Sequence, residues 1–197
     1  PSTRMQEFEA LVTRTHEVGL KVVLDFVPNH VARQYHSDTA PEGVDDLGAH
    51  DNKEMHFSPS NNFYYIPRQA FTPQFYIGEG EDRYFEYPAK ATGNDCFGAF
   101  PGEYDWYETV KLNYGVDYTG GGRCHFDPIP DTWYKMLDIL LFWCGKGSDA
   151  FRCDMAHMVP VEFWNWAISK VKENYPSVIF IAEIYDQALY RVYICLL

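Results

Sequence analysis

Positive charge is scarce in this sequence: 16 Lys and Arg stand against 28 Asp and Glu, a formal net charge of -12 over 197 residues. Nucleic acids and anionic membrane surfaces recruit basic patches, so this balance argues against both as partners. Long apolar runs are lacking too, and none approaches the roughly 20 residues that a membrane span needs. The cysteines (Cys96, Cys124, Cys144, Cys153 and Cys195) are scattered, odd in number and without CxxC spacing. That pattern favours reduced thiols over a disulfide or zinc framework, and among compartments it favours the cytoplasm. No signal peptide is visible, although the sequence opens as if in mid-domain and a leader could precede it. The histidines fit no HExxH pattern, which sets aside a metallohydrolase. Repeats and low-complexity tracts are missing as well. A neutral or weakly polar ligand is the partner these absences leave.

What is present is ample core material, 46% hydrophobic and 17% aromatic. "STRMQEFEALVTRTHEVG" carries a capping signature, Thr3 followed by Gln6, then apolar residues at helical spacing and Gly19 as a C-cap. "LKVVLDFVPNH" follows as a valine-rich run, the mark of a strand covered on both faces. The same unit returns after residue 130. A helix runs from Asp131 to about Cys144, a strand from about Ser148 to Cys153, a helix from Val161 to Tyr175, and "SVIFIAE" is a further strand. Short connections between helices and buried strands imply a parallel α/β sheet or barrel. Residues 31–130 break this rhythm. They are dense in Gly, Pro, Asn, Tyr and Phe, and too long for a structureless loop, so they read as a small inserted domain with a few short strands. The division is therefore 1–30, 31–130 and 131–197.

The stretch "DAFRCDMAHMVP" sets Arg152 and Asp154 two positions apart in an apolar context. Side chains two apart on a strand share a face. Asp25, Arg152 with Asp154, and Glu183 thus each lie on one face of their strand and toward its C-terminal end, where parallel α/β folds place ligands. Neighbouring strands lie about 4.8 Å apart. Asp154 and Glu183 on consecutive strands can then hold carboxyl groups about 5 to 5.5 Å apart, the spacing of a retaining glycosidase pair. Arg152 is expected to keep Asp154 ionised. The apolar "IFIA" before Glu183 is expected to raise its pKa toward that of a general acid.

"DFVPNH" (Asp25 to His30), "FRCDMAH" (Phe151 to His157) and "AEIYD" (Ala182 to Asp186) resemble, in order and spacing, three signature regions of the α-amylase family of glycoside hydrolases. The resemblance runs from the first helix to about Tyr190. It implies part of a (β/α)8 TIM-type barrel, about strands 3 to 5, with a small irregular inserted domain after strand 3. It further implies retaining cleavage of α-glucosidic bonds, α-1,4 bonds first, in starch-like or malto-oligosaccharide substrates. By position Asp154 resembles the nucleophile, Glu183 the acid/base, Arg152 the residue that orients the nucleophile, and His30 a histidine that contacts the sugar. Asp25 resembles a structural residue.

Asn29 resembles an asparagine that binds calcium in many members. Two departures bear on that metal: "VKLN" has Lys111 where calcium-binding members place an aspartate, and Met158 stands where many have a histidine. The expectation is that no cofactor is required and that the usual calcium site is not kept. His157 is either a sugar contact or a packing residue at a helix start. Trp106 and Tyr107 are candidates for stacking on sugar rings, with core packing as the alternative.

The family's third essential acid lies in a later motif, beyond Leu197, so the 197-residue polypeptide alone is expected to show no hydrolysis. A transglycosylase or isomerase of the same family is the near alternative. A non-enzymatic barrel remnant that binds sugar or a protein is the distant one.

Overall fold

The computed structural model describes residues 3–38, 42–76 and 84–193, which leaves Cys195 outside the described residues. Along the chain, α1 (Arg4–Glu17) and β1 (Val23–Phe26) come first. The short strands β2 (His30–Ala32), β3 (Tyr65–Ile66), β4 (Ala89–Lys90), β5 (Thr109–Lys111), β6 (Val116–Asp117) and β7 (Arg123–Cys124) follow. Then come α2 (Asp131–Gly145), β8 (Ala150–Cys153), α3 (Val161–Asn174), β9 (Ile179–Ala182) and α4 (Tyr190–Tyr193). The chain divides into two compact units, one of Pro1–Pro28 with Tyr134–Leu197 and one of Asn29–Trp133.

The first unit is a three-stranded parallel sheet in the order β1-β8-β9. Its register sets Asp25 beside Arg152, Arg152 beside Ile181 and Cys153 beside Ala182. Parallel neighbours need a helical crossover between them, and α2 and α3 lie in the sequence where such crossovers belong. One face of the sheet is aromatic. The Phe151 and Phe180 rings stack at 5.6 Å, and Phe26 meets Phe151 at 6.2 Å and Trp164 of α3 at 6.3 Å, both edge-on. In α3 the buried residues Phe163, Trp164, Ala167, Ile168 and Val171 form one helical stripe. Each large buried side chain contributes roughly 2 kcal/mol of hydrophobic stabilisation.

The other face of the sheet carries Val23, Ile179 and Ile181, each about half exposed (49%, 59% and 48%). Within this chain the Leu24 and Phe26 side of β1 is the more covered one. The capping expectation needs correction. Thr3 caps no backbone N–H; its hydroxyl donates to Glu7 Oε1 at 2.7 Å. Gly19, by contrast, adopts φ +77° and donates its N–H to His16 O, the left-handed stop that glycine permits. No described helix is long and apolar enough to cross a membrane.

The second unit is built from antiparallel pairs, β2 with β5, β3 with β4 and β6 with β7. With so little regular ladder, side chains satisfy the buried backbone. Asp51 accepts N–H groups from Asn62 and Phe63, the Asn61 side chain bonds both backbone groups of Asn52, and Asn113 Oδ1 takes the N–H of Gly115. Around these bonds pack Phe63, Tyr64, Tyr65, Val110, Leu112 and Tyr114, all buried.

Candidate active site

In the first unit, the C-terminal ends of the three strands gather one cation and three acids. Arg152 Nη1 donates to Asp25 Oδ1 and Asp154 Oδ1, both at 2.8 Å, and Nη2 reaches Glu183 Oε1 at 2.7 Å. The strand register explains the first contact, because Asp25 lies directly across from Arg152. Just beyond the paired strands, Asp154 N–H bonds Phe26 O and Glu183 N–H bonds Cys153 O, each at 2.9 Å, which carries the two acids to adjacent strand ends. Asp154 and Glu183 are also hydrogen-bonded to each other.

The proton order differs from the sequence expectation. Loss of water, helped by the hydrogen bond with Glu183, pushes the Asp154 carboxyl above the usual range in spite of Arg152. The Met155 backbone N–H, 3.2 Å from Glu183 Oε2, is the largest influence that brings Glu183 down; Asp154, Arg152 and the Tyr185 hydroxyl add to it. Arg152 is driven further up, first by its hydrogen bond to Asp25. The cause is local: Met155 sits at φ 48°, a left-handed turn that brings its N–H to Glu183.

His157 lies in the same unit, in the 3-10 turn Ala156–Met158, with its ring 6.0 Å from that of Tyr185. Its Nδ1 is buried without a hydrogen-bond partner among the described residues. Met155 and Tyr185 escaped the sequence reading. Tyr185 offered a signal, two residues past Glu183 inside "AEIYD"; the Met155 N–H offered none.

His30, Asn29, Trp106 and Tyr107 belong to the second unit. The rings of His30 and Trp106 lie 5.4 Å apart, and Trp106 is held at φ 36°, its carbonyl accepting both the N–H and the hydroxyl of Thr109. Tyr107 is half-buried: its ring meets Phe75 edge-on at 4.5 Å and packs against the cluster of Ile66, Phe71, Ala89 and Ala99.

Asn29 does not present a calcium site. Its Oδ1 accepts from the buried ammonium of Lys111 at 2.9 Å, and Nδ2 donates to Gly93 O at 2.7 Å. A cation already fills the position that the resemblance would give to the metal, and the residues present do not fit calcium.

No family model matches the chain. Over 188 residues it is 47% identical to the alpha-1,4-glucan:maltose-1-phosphate maltosyltransferase of Corynebacterium pseudotuberculosis, an alignment that covers 93% of this chain and 19% of that protein. The chain spans less than a fifth of the length of such curated relatives. Among solved structures, the maltogenic amylase of S. marinus matches with a TM-score of 0.57 at 20% identity, over 98% of this chain and 25% of that one. The alpha-amylase of H. orenii matches with a TM-score of 0.56 at 20% identity, over 96% and 34%. These likenesses identify the fold as part of the TIM-type barrel of those proteins.

Proposed function

Because the chain belongs to the α-amylase family of glycoside hydrolases, we propose that its complete protein works on α-glucans by double displacement at the acid pair Asp154 and Glu183. Asp154 attacks the anomeric carbon while Glu183 protonates the departing oxygen, and Glu183 then takes a proton from the incoming acceptor as that acceptor displaces Asp154. The observation that carries this reading is the bridge made by Arg152 to both acids at adjacent strand ends. Arg152 fixes the nucleophile's carboxylate and offsets its charge. The mechanism needs the Asp154 carboxylate ionised and the proton on Glu183 when substrate is bound. Within the first unit His157, whose ring Nδ1 is buried without a hydrogen-bond partner among the described residues, is assigned to sugar contact; within the second unit the ring pair of His30 and Trp106 is a separate candidate for the same role.

The acceptor decides between hydrolysis and transfer. The Corynebacterium relative is named for transfer of a maltosyl group from maltose 1-phosphate to an α-1,4-glucan, which favours a sugar acceptor over water here. Two measurements on the complete protein test the proposal. Asp154→Asn should remove nearly all turnover, and wild-type rates from that variant would end the assignment. With a malto-oligosaccharide and maltose 1-phosphate together, transfer releases inorganic phosphate and lengthens the glucan without new reducing ends, whereas hydrolysis accumulates reducing ends.

A further inference from the structure

We infer that Lys111 is a resident cation of the second unit, its ammonium tying together three segments of residues 29–133 and making their fold independent of calcium. This reading stands apart from the catalytic one. Lys111 is 1% exposed, and a buried ammonium is tolerated only where its protons are met. Here Nζ lies 2.6 Å from Asp95 Oδ1 and 2.9 Å from Asn29 Oδ1, and 5.3 Å from the centre of the Tyr118 ring. A carboxylate, an amide oxygen and an aromatic face are the partners a lysine head can use.

The two oxygen partners are each held in place by other contacts. Asn29 is oriented by its Nδ2 bond to Gly93 O, which leaves Oδ1 turned to the lysine. Asp95 sits in the left-handed region at φ 72°, a costly conformation for a residue with a Cβ. The turn around it is closed by Asp95 N–H to Thr92 O at 3.1 Å and Cys96 N–H to the Thr92 hydroxyl at 3.2 Å. Lys111 itself is fixed by pairing with His30 across β2 and β5 and by its N–H on Ala91 O at 3.0 Å.

The ammonium thus links the start of β2, the turn 92–96 and the strand β5. Calcium takes six to eight oxygen ligands. To enter, it would have to expel a side chain whose backbone is locked on both sides. Burial draws the ammonium down from the usual lysine range, and Asp95 offsets part of that.

Thermal melting of the complete protein, with limited proteolysis inside residues 29–133, tests this in EDTA and in millimolar calcium. The wild type should melt at one temperature and be nicked at one rate in both. Lys111→Met, which keeps the stem and removes the charge, should melt roughly 5–10 °C lower and be nicked faster, equally in both buffers. Asp95→Asn provides a milder reading that keeps the lysine: a smaller fall, again blind to calcium. Destabilisation of the wild type by EDTA, or unchanged melting of both variants, would overturn the inference.

Discussion

The second unit has a buried ion pair whose removal should be costly, and the structure allows the cost to be apportioned. Arg33 and Glu86 are 4% and 6% exposed at their side chains, with Nη1 and Oε1 at 2.6 Å. Arg33 also donates to three carbonyls, those of Tyr107, Lys90 and Thr109, and lies 4.0 Å from the centre of the Phe71 ring. Glu86 accepts in turn from the Tyr84 hydroxyl and the Lys90 N–H. Glu86→Gln keeps the shape and removes the charge, which leaves a guanidinium buried without its counter-ion. The carbonyl acceptors remain, so the loss should fall at the lower end of the range for breaking such a pair, about 3 kcal/mol. With a urea slope of about 2 kcal/mol per molar, the unfolding midpoint should drop by about 1.5 M. The assay is urea unfolding followed by tryptophan emission, to which Trp106 and Trp133 report from this unit. Lys90 is the internal control. Its ammonium also reaches Glu86, at 3.3 Å, but its side chain is 20% exposed, so Lys90→Met should cost under about 1 kcal/mol. A Glu86→Gln midpoint as close to wild type as that of Lys90→Met would refute the reasoning.

Two further outcomes follow from the same geometry. Partial burial pushes the Asp149 carboxyl up, but the Val22 N–H, Lys21 and His16 outweigh it and bring the group down to about 2. Its folded pKa lies below its unfolded value, so the unfolded chain binds the extra proton and stability rises with pH across that window. The contribution, about 2 kcal/mol above pH 4, should be lost as pH falls from about 4 to about 2, and Asp149→Asn should flatten the stability curve there; equal slopes for wild type and variant would contradict this. Gly93→Ala would put a Cβ 2.7 Å from Thr109 Oγ1 and 2.9 Å from His30 Cβ. It should cost about 1–3 kcal/mol by urea unfolding and, if His30 contacts sugar, raise KM; a variant with wild-type stability and KM would rule out that crowding.

The barrel elements were legible because their signals are local. The apolar run "FWNWAISKV" has helical period, and "AFRC" and "IFIA" are short strand runs, so α3, β8 and β9 were readable along with the shared face of Arg152 and Asp154. The inserted unit was not legible in detail, since contacts distant in sequence hold it: Arg33 with Glu86 and Asn29 with Lys111 have no periodicity to betray them. Proton placement at the acid pair was misjudged for a related reason. The run "IFIA" before Glu183 says nothing of the groups that meet its carboxyl. The dominant influence on Glu183 is the backbone N–H of Met155, whose left-handed conformation no residue type announces.

The central claim is that Asp154 forms the covalent bond to the sugar. Glu183→Gln in the complete protein, supplied with α-maltosyl fluoride, tests it most directly. Fluoride needs little help to leave, so the first step proceeds, while the second lacks its base and the intermediate accumulates. Mass spectrometry of the digested protein should then show one maltosyl unit on the peptide that contains Asp154. A maltosyl unit on any other residue, or donor consumption by single displacement with inversion at the anomeric carbon, would contradict the account.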